Sequence, residues 1–179
     1  MLFYSKIMRL SMIVALFALA AGMASAEGEG HSVGVGEDDW WLGYPDQHPN
    51  AGEDVRHPQW VLEALQSGPV MIYGHGDCEY CAPQTEAVGR LMEQSGDEVE
   101  YFNIPSDGSD SRKDYFSVYD PDGGATYVPL TVFVTLVQDS EGEVQVAWHS
   151  SEDITGEEWL SSYLEDAIAL YQENVADWK

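Results

Sequence analysis

Cys78 and Cys81 are the two cysteines of this chain, and they stand three apart in the run Gly76-Asp77-Cys78-Glu79-Tyr80-Cys81-Ala82-Pro83. The apolar run Pro69-Val70-Met71-Ile72-Tyr73 comes just before them and an amphipathic stretch just after. The pair is therefore expected where a buried strand gives way to a helix. A helix N-terminus favours a thiolate, the form of sulfur that attacks disulfides and binds metals. With no third cysteine to compete, the expected chemistry is the reversible joining of these two sulfurs. A purely structural staple is the competing reading. It would close a loop of only four residues, worth about 2 kcal/mol against about 3 for a fifteen-residue loop.

Two further chemistries fall near the pair. His75 and Asp77 are candidates for proton transfer by proximity, and His75 reads equally well as a plain loop residue. Cys78, Cys81 and His75 together offer soft sulfur and imidazole, which suits copper(I) or zinc, so a metal-binding or metal-delivery protein is an alternative. The ligand set is short by at least one group, and no metal is expected. The pairs Asp107/Asp110 and Asp120/Asp122, with their glycines, lack the later Glu of the helix-loop-helix calcium motif and read as solvated loops.

Residues 1–26 read as an export signal: Lys6 and Arg9, then the apolar run 10–21, then the small-residue site Ala24-Ser25-Ala26. The apolar run is short for a bilayer span, so a membrane association is expected only if it is retained as an anchor. Export places the cysteines where disulfides persist. The formal net charge is −25, with 7 Lys and Arg against 32 Asp and Glu. Loss of the signal removes Lys6 and Arg9 and no acid. Such a field repels nucleic acid and anionic lipid, and it suits a salt-adapted or acid-exposed extracellular protein. At 44% hydrophobic residues, with 6 Trp and 10 Tyr, the chain still has material for one core.

Residues 27–56 are rich in Gly, Asp and Pro around Trp40-Trp41 and Tyr44, and read as an irregular extension whose aromatics dock on its own domain, the favoured reading, or on a partner. Pro58 then leads a helix over 60–65, followed by a strand at 69–73. Asp77 is expected to cap a helix over 78–94, with Cys81, Thr85, Val88 and Met92 on one face. A strand at 98–104, a helix at 111–119 and a strand at 127–136 follow, the last interrupted early by Pro129. A turn at 139–142 returns the chain through a strand at 143–149. Thr155 and Glu158 form a capping box for a last helix that buries Trp159, Leu160, Tyr163, Leu164, Ala167 and Tyr171.

That order, with a Cys-x-x-Cys helix after a buried strand and Val128-Pro129 at the head of a hairpin, resembles the thioredoxin-like superfamily over about residues 57–173. The resemblance implies an α/β fold with a central mixed sheet flanked by helices, here behind an N-terminal irregular extension. The domains expected are a signal at 1–26, the extension at 27–56 and a thioredoxin-like domain at 57–179. It implies an exported thiol:disulfide oxidoreductase without a cofactor, acting on protein thiols and disulfides and recycled by a redox partner. Cys78 would be the attacking sulfur and Cys81 the resolving one. Val128 and Pro129, similar to the family's cis-proline, would contact substrate together with Tyr80. A non-catalytic polypeptide-binding module on the same fold is the other alternative.

Thioredoxins carry Trp before the first cysteine and Gly-Pro between the two, whereas this chain has Asp77 and Glu79-Tyr80. Tyr before the second cysteine is closer to glutaredoxins and some exported isomerases. Ile72 stands where thioredoxins have a buried acid. Asp77 and Glu79 flank Cys78, and like charge raises a thiol's pKa while the helix terminus lowers it. If the carboxylates dominate, the pair leans toward the reducing end of the family.

Overall fold

The computed structural model describes residues 30–178, so the export-signal expectation lies outside the described residues. Three alternating or apolar runs of the sequence form the middle of one mixed sheet: β3 (Val70–His75), β5 (Leu130–Gln138) and β6 (Val144–Ser151). With β1 (Val33–Gly34), β2 (Trp40–Trp41) and β4 (Glu100–Pro105), the strand order is β1-β2-β6-β5-β3-β4. β3 runs parallel to β4, and β5 is antiparallel to both β3 and β6.

Helices cover both faces, which is why β3 and β5 are apolar almost throughout. On one face lie α2 (Cys81–Ser95) and α4 (Gly156–Asn174), packed on Met71, Tyr73 and Phe133. The opposite face carries α1 (Gln59–Ala64) and α3 (Tyr115–Val118), packed on Ile72, Val132 and Val134. The period-two alternation of a strand divides these residues between the faces. Gly74 of β3 sits under α3 so closely that a Cβ there would collide with the Tyr115 ring system and Phe116.

The extension has little regular structure, yet it completes the sheet. Trp41 pairs with Trp148 of β6, and the two side chains of β2 split across the edge. Trp40 joins the core under α4 and Trp41 the core on the other face, both almost fully buried. Trp40 Nε1 donates to Asp166 Oδ2 at 2.7 Å and Trp41 Nε1 to the Gly36 carbonyl at 2.7 Å. The extension thereby covers the edge of β6, which would otherwise present unpaired backbone groups.

Several boundaries differ from the sequence expectation. α2 starts at Cys81 and not at Cys78, so Asp77 does not cap it; residues 78–80 form a turn. β5 begins at Leu130, after Pro129, which spares the ladder a residue with no N–H to donate. The helix expected at 111–119 shrinks to Tyr115–Val118, because Asp110 holds the preceding turn through the Arg112 backbone and guanidinium. Thr155 does stand at the N-cap of α4, but its side chain makes no capping bond and there is no capping box. Its hydroxyl and backbone N–H meet Gln84 instead. Trp159 is half-buried where full burial was expected.

Candidate functional site: the Cys78–Cys81 disulfide

Cys78 and Cys81 form a disulfide, with their Cα atoms 5.3 Å apart. The two sulfurs are held differently. Cys78 is half-buried, and its Sγ accepts the Cys81 backbone N–H at 3.1 Å, at the first residue of α2. Cys81 is 2% exposed, and its Sγ accepts the Gly76 N–H at 3.4 Å. Opening the disulfide would leave the Cys78 sulfur on a backbone donor at a helix N-terminus, where a thiolate is favoured.

The first turn of α2 is fixed from the sheet. Tyr73 Oη donates to the Cys81 carbonyl at 3.2 Å, and Thr85 Oγ1 donates to the same carbonyl at 2.8 Å. Gln84, fully buried one turn beyond Cys81, does more. Its Nε2 donates to Thr131 Oγ1 at 3.2 Å and to Thr155 Oγ1 at 3.0 Å, and its Oε1 accepts the Thr155 N–H at 3.1 Å. One side chain thus ties the cysteine helix to β5, just past Pro129, and to the start of α4. The sequence reading missed it. The signal was a polar residue on the 81-84-88-91 line of α2, whose other members are buried and apolar or sulfur-bearing.

Val128-Pro129 has a cis peptide bond, and the Val128 carbonyl oxygen lies 3.9 Å from Cys78 Sγ. Tyr80 is 61% exposed beside it, and both Tyr80 and Val128-Pro129 border a groove of about 850 Å³. Glu37, Asp38 and Trp41 of the extension form one wall of that groove, so residues of the extension reach the neighbourhood of the pair. The 149–154 segment and Trp159 form another.

His75 is half-buried at the end of β3, stacked on Tyr73 with ring centroids 5.5 Å apart. Asp77 is exposed in the following loop. His75 and Asp77 line a small separate hollow with Ser106 and Asp107, and neither cysteine borders it. With the sulfurs joined, neither is a thiolate ligand. Among the described residues, the side chains whose ligating atoms gather within 4.8 Å are Asp120, Asp122 and Glu152, and not the Cys78, Cys81 and His75 set. Glu152 was not picked out from the sequence, since it lies 30 positions from its neighbours. It accepts the Tyr127 backbone N–H at 2.8 Å. Burial, and then the charges of Asp120, Asp122 and Asp153, push its carboxyl up to about 7, against the opposing effect of the Tyr127 bond.

Among the described residues no helix is long and apolar enough to cross a membrane. The disulfide is compatible with an oxidising, exported location. No protein-family profile matches this sequence, and no curated protein matches it. A solved structure described as that of a malarial protein is similar over 56% of this chain and 97% of its own, at 13% identity and a TM-score of 0.41. A likeness that distant bears on no functional argument; what stands is a mixed α/β sheet carrying a Cys-x-x-Cys disulfide at the start of a helix.

Proposed function

We propose that the chain is an exported, thioredoxin-like thiol:disulfide oxidoreductase that exchanges disulfides with protein substrates. The observation that carries this reading is the asymmetry of the pair: Cys78 Sγ half-open on the Cys81 N–H, and Cys81 Sγ buried behind it. In the reducing direction, the Cys78 thiolate attacks one sulfur of a substrate disulfide. A mixed disulfide forms and the other substrate sulfur leaves as thiolate. Cys81, having lost its proton, then attacks Cys78 Sγ and expels the second substrate sulfur. The substrate gains two electrons and two protons, and the protein regains the Cys78–Cys81 bond. His75 and Asp77 are the groups proposed to take the Cys81 proton. Val128, Pro129 and Tyr80 are proposed to seat the substrate. An external dithiol would restore the reduced pair.

The test is stoichiometric. Reduced full-length protein mixed with one equivalent of bis(2-hydroxyethyl) disulfide, a small uncharged probe, is expected to regain Cys78–Cys81 and release two mercaptoethanol molecules. Mass spectrometry and a thiol count read both products. A pair that stays reduced under these conditions defeats the proposal.

The reducing lean rests on Asp77 and Glu79, both exposed on either side of Cys78. Replacing them as Asp77→Asn/Glu79→Gln removes like charge from the attacking sulfur, stabilises its thiolate and makes the disulfide easier to reduce. The reduction potential is expected to rise by roughly 10–20 mV at low ionic strength, read by equilibration with glutathione. An unchanged or lower potential would remove these carboxylates from the account.

A further inference from the structure

The groove beside the pair has a composition that bears on what it accepts. Tyr80, Tyr127 and Ile154 border it at 61%, 64% and 46% exposure. They make up three of the five large apolar side chains most open to solvent among the described residues, the others being Val33 and Val35. Neither cysteine lines the groove itself; it meets the pair through Tyr80 and through Val128, whose carbonyl oxygen lies 3.9 Å from Cys78 Sγ, and apolar surface concentrated there is surface that a bound chain can cover.

The same groove is lined by Glu37, Asp38, Asp122, Glu152 and Asp153, and by no Lys or Arg. An acidic chain will carry acids in most hollows, so their number alone decides little. Their arrangement says more. Asp122 and Glu152 come from separate segments, yet they bring carboxylate oxygens within 4.8 Å of each other and of Asp120. The arginines seen in ion pairs are engaged elsewhere, Arg90 with Glu86 and Glu157 and Arg112 with Asp110. His149 also lines the groove, and burial pulls its ring down to about 4, so it adds no positive charge near neutrality. Carboxylates held this close repel one another, which with burial raises the Glu152 carboxyl to about 7, and an arriving ammonium or guanidinium relieves that repulsion and favours the ionised form.

Resting on the oxidoreductase reading, we propose that this groove selects polypeptide segments carrying Lys or Arg beside an apolar residue and presents their disulfide to Cys78. The apolar neighbour covers Tyr80, Tyr127 and Ile154, and the cation meets Asp122, Glu152 and Asp153. The extension contributes through Glu37 and Asp38, which gives the ordered 30–56 segment a part in recognition as well as in covering the sheet edge.

The test uses three synthetic peptides, each closed by one disulfide and differing only in whether the residues flanking one cysteine are Lys, Gln or Glu. Single-turnover reduction by the reduced full-length chain is expected to favour the Lys peptide over the Glu peptide by about 10-fold at low salt, with Gln between, narrowing as salt rises. Asp122→Asn/Glu152→Gln/Asp153→Asn is expected to bring the ratio to about 2-fold or less. Glu93→Gln/Asp97→Asn/Glu98→Gln removes three carboxylates at and just beyond the far end of α2, about 20 Å along the helix, and is expected to keep the preference. Equal rates for the Lys and Glu peptides, or an equal loss in both triple variants, overturns the proposal; the second result would assign any preference to the overall charge. The uncharged mercaptoethanol disulfide reads the chemistry without the groove. If it is reduced normally while the peptides show no preference, the groove proposal fails and the oxidoreductase reading stands. Calorimetry with the same peptides carrying Ser for Cys reads the groove without the chemistry, and equal affinity for Lys and Glu versions there also overturns it.

Discussion

Acidification is expected to destabilise the folded chain through His57 and His149, by about 3 kcal/mol for each ring. Burial lowers both to about 4 from the ordinary 6.5. The unfolded chain therefore binds more protons than the folded one between these values, and the stability that the neutral rings permit is lost as pH falls through that window. Each ring is held by packing that a charge would disturb. His149 Nδ1 donates to the Asp39 carbonyl at 2.9 Å, and its ring stacks on Tyr163 at 4.1 Å and lies 4.3 Å from Trp41. His57 shares a 2.9 Å hydrogen bond with Tyr119 Oη. Glu152 works the other way. Its carboxyl is raised to about 7, so the cost of its charge is relieved as pH falls toward the ordinary carboxylate value. Loss of negative charge across the surface also favours the compact state in acid. Comparing variants separates these contributions. His149→Asn keeps a side-chain donor and cannot take a proton in this range. Its stability is expected to depend less steeply on pH between about 6.5 and 4, by roughly one proton per molecule. Denaturant unfolding at a series of pH values in constant salt measures both slopes. Parallel slopes for the parent and the variant would exclude His149 as the acid-sensitive group. Because His149 bonds Asp39 and contacts Trp41, the same protonation is expected to loosen the extension, read as faster amide exchange at Trp40 and Trp41.

The parts of this fold that were legible in the sequence are those written in side-chain period. β3 and β5 are mainly apolar runs flanked by turn residues, and the buried face of α4 follows 160-163-164-167-171 as the spacing required. Tyr101 on one face of β4 and Phe102 and Ile104 on the other follow from alternation. The Cys-x-x-Cys placement after a buried strand was equally plain. What was not legible depended on partners distant in the chain. Asp77 has the residue type of a cap, but the chain uses 78–80 as a turn that brings Cys78 Sγ onto the Cys81 N–H. Thr155 has the type of a capping-box residue, but Gln84, 71 positions away, takes both its N–H and its hydroxyl. Propensity describes what a residue can do locally; a buried amide with three bonds to satisfy decides otherwise. Glu152 escaped notice for the same reason, as its neighbours Asp120 and Asp122 belong to another loop. The glycine-rich composition of 27–56 indicated little regular structure, as is seen over the described residues 30–56, and Trp40-Trp41 indicated docking. The parity that sends one Trp to each face of the sheet edge needed the strand pairing.

Cys81→Ser is expected to capture substrate as a stable mixed disulfide on Cys78 and to lower turnover by about 100-fold or more, since the second step loses its nucleophile. The size of the effect follows from geometry. The Cys78 and Cys81 Cα atoms are 5.3 Å apart, so the resolving sulfur acts at an effective concentration no external thiol approaches. Serine retains an acceptor for the Gly76 N–H, which now meets Cys81 Sγ, so the loop keeps its bond. Cys78→Ser is expected to capture nothing. The remaining sulfur is 2% exposed beneath the first turn of α2, where a substrate disulfide cannot make the in-line approach that exchange needs. Incubation of each variant with an oxidised extracellular protein, followed by non-reducing electrophoresis and mass spectrometry, distinguishes the two. Capture by both variants would mean that burial does not separate attacker from resolver. Capture by neither would leave the pair without exchange activity, and the 850 Å³ groove beside it would then be a binding surface alone.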